Sequence, residues 1–220
     1  WKKSPSSFYW DMVEYPIKEP TLDALKKYRW PDPKDPGRID GLRHRAKKLF
    51  ETTDFAIVLD AAGFGVFETG WMLRGVENFL MDMAAEPKFA EALMQGVADY
   101  LVALYDRILA EVGEYLQVVM VGDDLGTQHG PMISPEAYRK LVKPAQKKVW
   151  QFIKSRTKAY LFLHSCGSVR KFIPDWIELG LDILNPVQVA ARDMDPKELK
   201  REYGKNLTFW GGGCDTQRVL

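Results

Sequence analysis

The chain has few cysteines, almost no excess of either charge and no long apolar run. No apolar stretch approaches the ~18–20 residues needed to cross a bilayer, and no basic-then-apolar leader opens the sequence. Lysine and arginine together number 31 against 30 acidic residues, a net charge of +1. Such a balance gives neither nucleic acid nor an anionic membrane an electrostatic reason to bind. Cys166 and Cys214 are the only cysteines. Two are too few for a disulfide framework, so a reducing cytoplasm is the expected location.

What is present is an ordinary globular mixture. Hydrophobic residues make up 46% and charged residues 28% of the chain, which argues against disorder and allows a sizeable core. Residues 1–37 are rich in proline and aromatics and predict an irregular surface segment, with one short helix capped by Thr21. The chain starts at Trp1 and ends at Leu220, just after a strand-like run and a glycine cluster. The expectation is a single domain over 1–220, cut at both ends.

Five short runs rich in β-formers predict strands: FAIVLD (55–60), LQVVMVGDD (116–124), AYLFLH (159–164), LDILNP (181–186) and LTFWG (207–211). Between them lie helical stretches. One covers 38–52, with Leu42, Leu49 and Phe50 as its apolar stripe. A long one breaks at Glu86-Pro87 and stops near Gly113. Others open at Ser134, run from Val169 to Leu179, and run from Asp195 to Tyr203. Strands that are apolar throughout, rather than alternating, predict a parallel sheet covered on both faces.

Polar residues follow strand after strand. Asp60 follows the first, Asp123 and Asp124 the second, His164 and Cys166 the third, Asn185 and Gln188 the fourth, Cys214 and Asp215 the fifth. A β/α barrel builds its active site at those ends, whereas a doubly wound sheet uses only its switch point. The reading is an α/β chain of the (β/α)8 barrel class, incomplete, with five strands legible.

The sharpest feature is LFLHSCGS. His164 and Cys166 are two apart, so extended backbone points both side chains the same way. Imidazole and thiolate are zinc donors, and Gly167 lets the chain turn away behind them. The plainer alternative is a hydrogen-bonded histidine and a small buried cysteine. Cys214 is a candidate third ligand, or else a packing residue on a glycine loop. In GDDLGTQHG the adjacent carboxylates diverge: one of Asp123 and Asp124 faces the cavity as acceptor or general base, and the other caps a loop. Asp60 carries the same two readings. Gln128, Asn185 and Gln188 are candidates for substrate binding, and His129 reads as a surface residue. AAGFG and WGGGC do not match phosphate-binding spacings. Trp71, Trp150, Trp176 and Trp210 read as packing residues, and RHRAKK as a solvated helix face.

Taken in order, GDDLGTQHGPMISPEAYRKLVKPAQK, LFLHSCGSVRKFIPDWIELGLDILNPVQ and DPKELKREYGKNLTFWGGGCDTQRVL resemble the uroporphyrinogen decarboxylase-like superfamily. The resemblance implies a (β/α)8 barrel and one of two chemistries. The corrinoid-dependent methyltransferases of the superfamily carry zinc on a His-x-Cys pair plus a later cysteine. His164 and Cys166 match the pair; Cys214 is a candidate for the later cysteine, which in those enzymes usually lies further along the chain, so the third ligand could instead come from a segment beyond Leu220. On this branch a zinc-activated thiol exchanges a methyl group with a corrinoid presented by a partner protein. The true decarboxylases use no metal or cofactor; an aspartate, here Asp60 or Asp124, would anchor the pyrrole N–H groups and arginines would pair the substrate carboxylates. No arginine stands immediately at a strand end here, and the His-x-Cys pair belongs to the methyltransferases. The expectation is therefore a zinc methyltransferase. A decarboxylase and a catalytically silent barrel within a corrinoid complex are the alternatives.

Overall fold

The protein is described by a computed structural model covering all residues except 4, 6–9, 11, 216, 219 and 220. Two helices precede the sheet, α1 (Leu22–Lys27) and α2 (Leu42–Thr52). The Thr21 hydroxyl accepts the Ala24 N–H and so caps α1, as its position before the apolar run predicts. In α2 the buried residue is Ala46, while Leu49 and Phe50 remain about half exposed. The expected stripe is thus only partly covered. Phe50 rests against the ring of Tyr115, 5.7 Å between centroids, rather than entering the core.

The sheet comprises β1 (Val58–Leu59), β2 (Val118–Gly122), β3 (Tyr160–His164), β4 (Ile183–Asn185) and β5 (Thr208–Phe209). They are all parallel and lie side by side in chain order. Sequential order with helical crossovers is the topology of a β/α barrel wall. Among the described residues five strands form this wall, and it does not close. β1 corrects one expectation: FAIVLD is not a buried strand. Only two of its residues pair, and Phe55 is 75% and Val58 45% exposed. The run stands at the sheet edge, with β2 as its one neighbouring strand among the described residues.

Between β1 and β2 come α3 (Val66–Arg74), α4 (Val76–Ala85) and α5 (Pro87–Val112). The expected break at Pro87 is there, and a second falls at Gly75, whose φ of 92° favours glycine. Phe89, Leu93, Val97, Leu101, Leu104 and Ile108 are buried along one face of α5. Beyond β2, α6 (Pro135–Ala137) passes through a π turn (Tyr138–Val142) into α7 (Lys143–Arg156), which packs beside α5. A 3-10 turn (Arg170–Phe172) leads into α8 (Ile173–Glu178), and α9 (Pro196–Tyr203) precedes β5. Ser134 caps α6 and Asp195 caps α9.

The two faces of the sheet differ. Val119, Val121, Leu161, Leu163 and Leu184 belong to the main core with the helices. Val118, Phe162 and Ile183 form a smaller cluster with Met120 on the opposite face. Trp150 and Trp176 are buried and Trp71 is half buried. Trp210 departs from the packing reading: it is 54% exposed and meets Phe162 edge to face, just past the edge strand β5. No helix is long and apolar enough to cross a membrane.

Candidate functional site

Gly122, His164 and Asn185 share one register row at the C-terminal ends of β2, β3 and β4. The Asn185 amide donates through Nδ2 to the Trp210 carbonyl at 2.9 Å. That bond leaves its oxygen to accept from His164 Nδ1–H at 2.6 Å. The bond orients the His164 ring so that Nε2 stands 3.4 Å from Cys166 Sγ, and in the neutral Nδ1–H tautomer the Nε2 lone pair points to where a metal would bind. Gly167, with φ 81°, turns the chain sharply after Cys166. There a Cβ would meet the Gly126 backbone at 2.5 Å.

Of the two adjacent aspartates, Asp124 reaches the cluster. Its Oδ1 accepts the Cys166 N–H at 2.8 Å. One ligand atom from each of Asp124, His164 and Cys166 lies within 4.8 Å of the others. Burial, then the neighbouring Asp124 carboxylate, pushes the Cys166 thiol up to about 11. Without a metal the sulfur is a thiol at neutral pH.

Asp123 turns the other way and is buried. It accepts the Glu68 N–H at 2.8 Å, the Phe67 N–H at 3.3 Å and Gln146 Nε2 at 2.9 Å, while Gln146 accepts the Tyr138 hydroxyl. It thus caps the N-terminus of α3 from another strand, not the loop that follows it. Burial pushes it up to about 6, against the lowering effect of these donors. Gly65 makes the approach feasible, since a Cβ there would lie 2.2 Å from Asp123 Cγ.

This cap delivers a residue the sequence reading omitted. Glu68, in the first turn of α3, lines a cleft of about 320 Å³ with Phe64, Met120, Gly122, Asp124 and His164. Burial first, then Asp124 and Asp123, push its carboxyl up to about 7. Its available signal was an acidic residue just after a glycine loop. That pattern reads equally as a favourable helix-end charge.

The other candidates are placed differently. Asp60 is exposed and accepts the N–H of its neighbour Ala61. Gln188 accepts the Gly167 N–H and donates to Gln128, which donates to the Ala190 carbonyl. The two glutamines brace the loops after β3 and β4. Ser165 is buried and accepts the Leu125 N–H, and His129 is exposed. Cys214 is exposed and outside the donor cluster. The glycine loop that carries it is drawn toward the β4 exit, with Gly212 N–H bonded to the Pro186 carbonyl.

Parallel strands with helical crossovers, and an N, O and S donor cluster at their C-terminal ends, define a barrel-type α/β protein with a strand-end site. Residues 12–212 match the uroporphyrinogen decarboxylase (URO-D) family, and the chain belongs to that family. A methyltransferase from Methanosarcina mazei is similar in structure, with a TM-score of 0.58 and 16% identity, over 89% of this chain and 53% of that one. The likeness is one of fold, and this chain spans about half the length of that structure. No curated protein matches.

Proposed function

We propose that this chain carries the zinc site of a methyltransferase of the URO-D family, with His164, Cys166 and Asp124 as protein ligands. The observation that carries the reading is the convergence of one nitrogen, one sulfur and one carboxylate oxygen within 4.8 Å at the ends of β2 and β3. Nitrogen, sulfur and oxygen donors are what tetrahedral zinc takes, and three protein ligands leave a fourth position open. The Asn185 bond to His164 Nδ1 is the outer support such histidines have. The donor set therefore fits the metal.

When bound, zinc lowers the pKa of a coordinated thiol and holds it as the nucleophilic thiolate that methyl transfer requires. Asn185 holds the His164 ring through Nδ1 and so aims Nε2 at the site, and the Cys166 N–H restrains Asp124. Asp123 fixes the first turn of α3, so that Glu68 faces the cleft. A corrinoid on a partner protein is the proposed methyl carrier. Cofactor-free decarboxylation of a porphyrinogen is the second reading, favoured by the family's own name. It needs cations for the substrate carboxylates, and no arginine or lysine is among the described residues lining the cleft.

Metal analysis joined to a methyl-exchange assay tests the proposal. The expected result is about one zinc per chain, lost in His164→Ala and Cys166→Ala, with methyl exchange against methylcobalamin lost in parallel. A metal-free protein that turns over a porphyrinogen overturns it.

A further inference from the structure

The turn that carries Cys166 is held by three successive backbone N–H groups, each with a different acceptor. The Cys166 N–H donates to Asp124 at 2.8 Å, the Gly167 N–H to Gln188 Oε1 at 3.0 Å, and the Ser168 N–H to the Thr127 carbonyl at 2.8 Å. Asp124 is itself a proposed ligand, so its carboxylate answers to the metal as well as to the turn. The Thr127 acceptor is backbone. Of these three acceptors, Gln188 is the one side chain that holds the turn without belonging to the donor cluster.

The direction of the Gln188 amide is set from both ends. The Gly167 N–H can only donate, so it takes the amide oxygen. Gln188 Nε2 then donates to Gln128 Oε1 at 2.7 Å, and Gln128 Nε2 donates to the Ala190 carbonyl, which can only accept. Turning either amide over sets donor against donor or oxygen against oxygen. The Gln128 backbone carbonyl also accepts the Arg192 N–H at 3.0 Å and ties down the same loop.

The backbone that presents Gln188 is strained. Val187 has a φ of 56°, in the left-handed region that a β-branched side chain rarely enters, and its side chain is buried. On the other side of this turn the Pro186 carbonyl accepts the Gly212 N–H at 3.0 Å. Strain of this kind persists where the surroundings over-determine it, and it gathers where a side chain has to be aimed. A relaxed φ at Val187 would redirect the chain at Gln188.

We infer that Gln188 is a positioning residue of the metal site. Aimed by Val187 and oriented by Gln128, it fixes the Gly167 turn and so sets where Cys166 Sγ meets the metal. This inference rests on the zinc reading of the site.

The test is titration of the full chain with cobalt(II), a coloured stand-in for zinc at a site of nitrogen, oxygen and sulfur donors, followed by competition with zinc. The thiolate-to-cobalt charge-transfer band reports the bond to sulfur itself. Gln188→Met keeps the length of the side chain but has no amide. It is expected to weaken zinc binding about tenfold and to shift or weaken the band, with cooperative urea unfolding of the metal-free chain retained. Gln128→Met leaves Gln188 its acceptor oxygen and frees its amide, so it should cost less. The double variant should lose no more than Gln188→Met alone, because Gln128 acts through Gln188. A merely structural role would lower stability and leave the band of the loaded chain in place. An unchanged band in Gln188→Met, whatever the affinity, overturns the inference, as do losses that simply add in the double variant. Should Gln188→Met not fold, Gln128→Met decides: an altered band supports the inference and an unaltered one overturns it. A chain that takes up metal and ignores both substitutions sinks this inference alone. A chain that takes up neither cobalt nor zinc sinks the zinc reading, and this inference with it.

Discussion

At the residue scale, the site turns on which atoms keep their protons. Asn185 fixes the His164 tautomer through a 2.6 Å bond. Asn185→Ala is expected to weaken zinc binding about 10–100-fold, measured by competition with a chelator, while the fold persists. Unchanged affinity would show that the ring needs no such support. The Cys166 thiol, raised to about 11 by burial and by Asp124, must lose its proton to bind metal. Below that value zinc affinity should therefore rise about tenfold per pH unit, less any contribution from other ligands, and Cys166→Ser should flatten the profile. His164 and Cys166 were legible in the sequence because a strand's two-residue period puts them on one side. Glu68 was not, because its place in the cleft depends on Asp123, 55 residues further along the chain. The choice between Asp123 and Asp124 was likewise open until the position of α3 was known.

At the element scale, one buried carboxylate joins a helix to the barrel wall and another joins helices to each other. Asp123 serves three donors, and Asp123→Ala leaves the α3 N–H groups and Gln146 without an acceptor. A loss of about 3 kcal/mol in stability is expected from such buried orphans, measured by urea unfolding, with Asp124→Ala costing clearly less. Asp175 at the start of α8 takes Arg139 at 3.0 Å and Lys143 at 2.9 Å from the π turn and α7. Burial alone would raise Asp175, but the hydrogen bonds and charges of those two cations hold it below the usual carboxylate range. A folded pKa below the unfolded one gives stability that is present above about pH 4. It is lost as the pH falls through the folded value. Asp175→Asn should cost about 2 kcal/mol at neutral pH and make acid unfolding less steep. Helix caps at Thr21, Ser134 and Asp195 were legible because they act within three residues. The break at Gly75 was not, because a glycine inside an amphipathic run also reads as an ordinary helical position.

At the scale of the whole molecule, the barrel class was legible from the strand–helix repeat and from strands apolar on both faces. The edge was less so. FAIVLD has the composition of a buried strand, but burial depends on neighbours, and among the described residues β1 pairs with β2 alone. Trp210 at the opposite edge is exposed for the same reason. Composition assigned both to the interior; position in the sheet put them outside it. Cys214 was a candidate ligand because its strand end belongs to the same rim, but its glycine loop bends toward Pro186. The account therefore has one sulfur in the cluster where the family resemblance implied two. X-ray absorption at the zinc edge of the loaded chain measures this directly. The account predicts about one zinc per chain with a single sulfur near 2.3 Å and nitrogen or oxygen in the remaining positions, unchanged in Cys214→Ala and lost in Cys166→Ala. A shell of two sulfurs, or a chain that takes up no zinc, would contradict it.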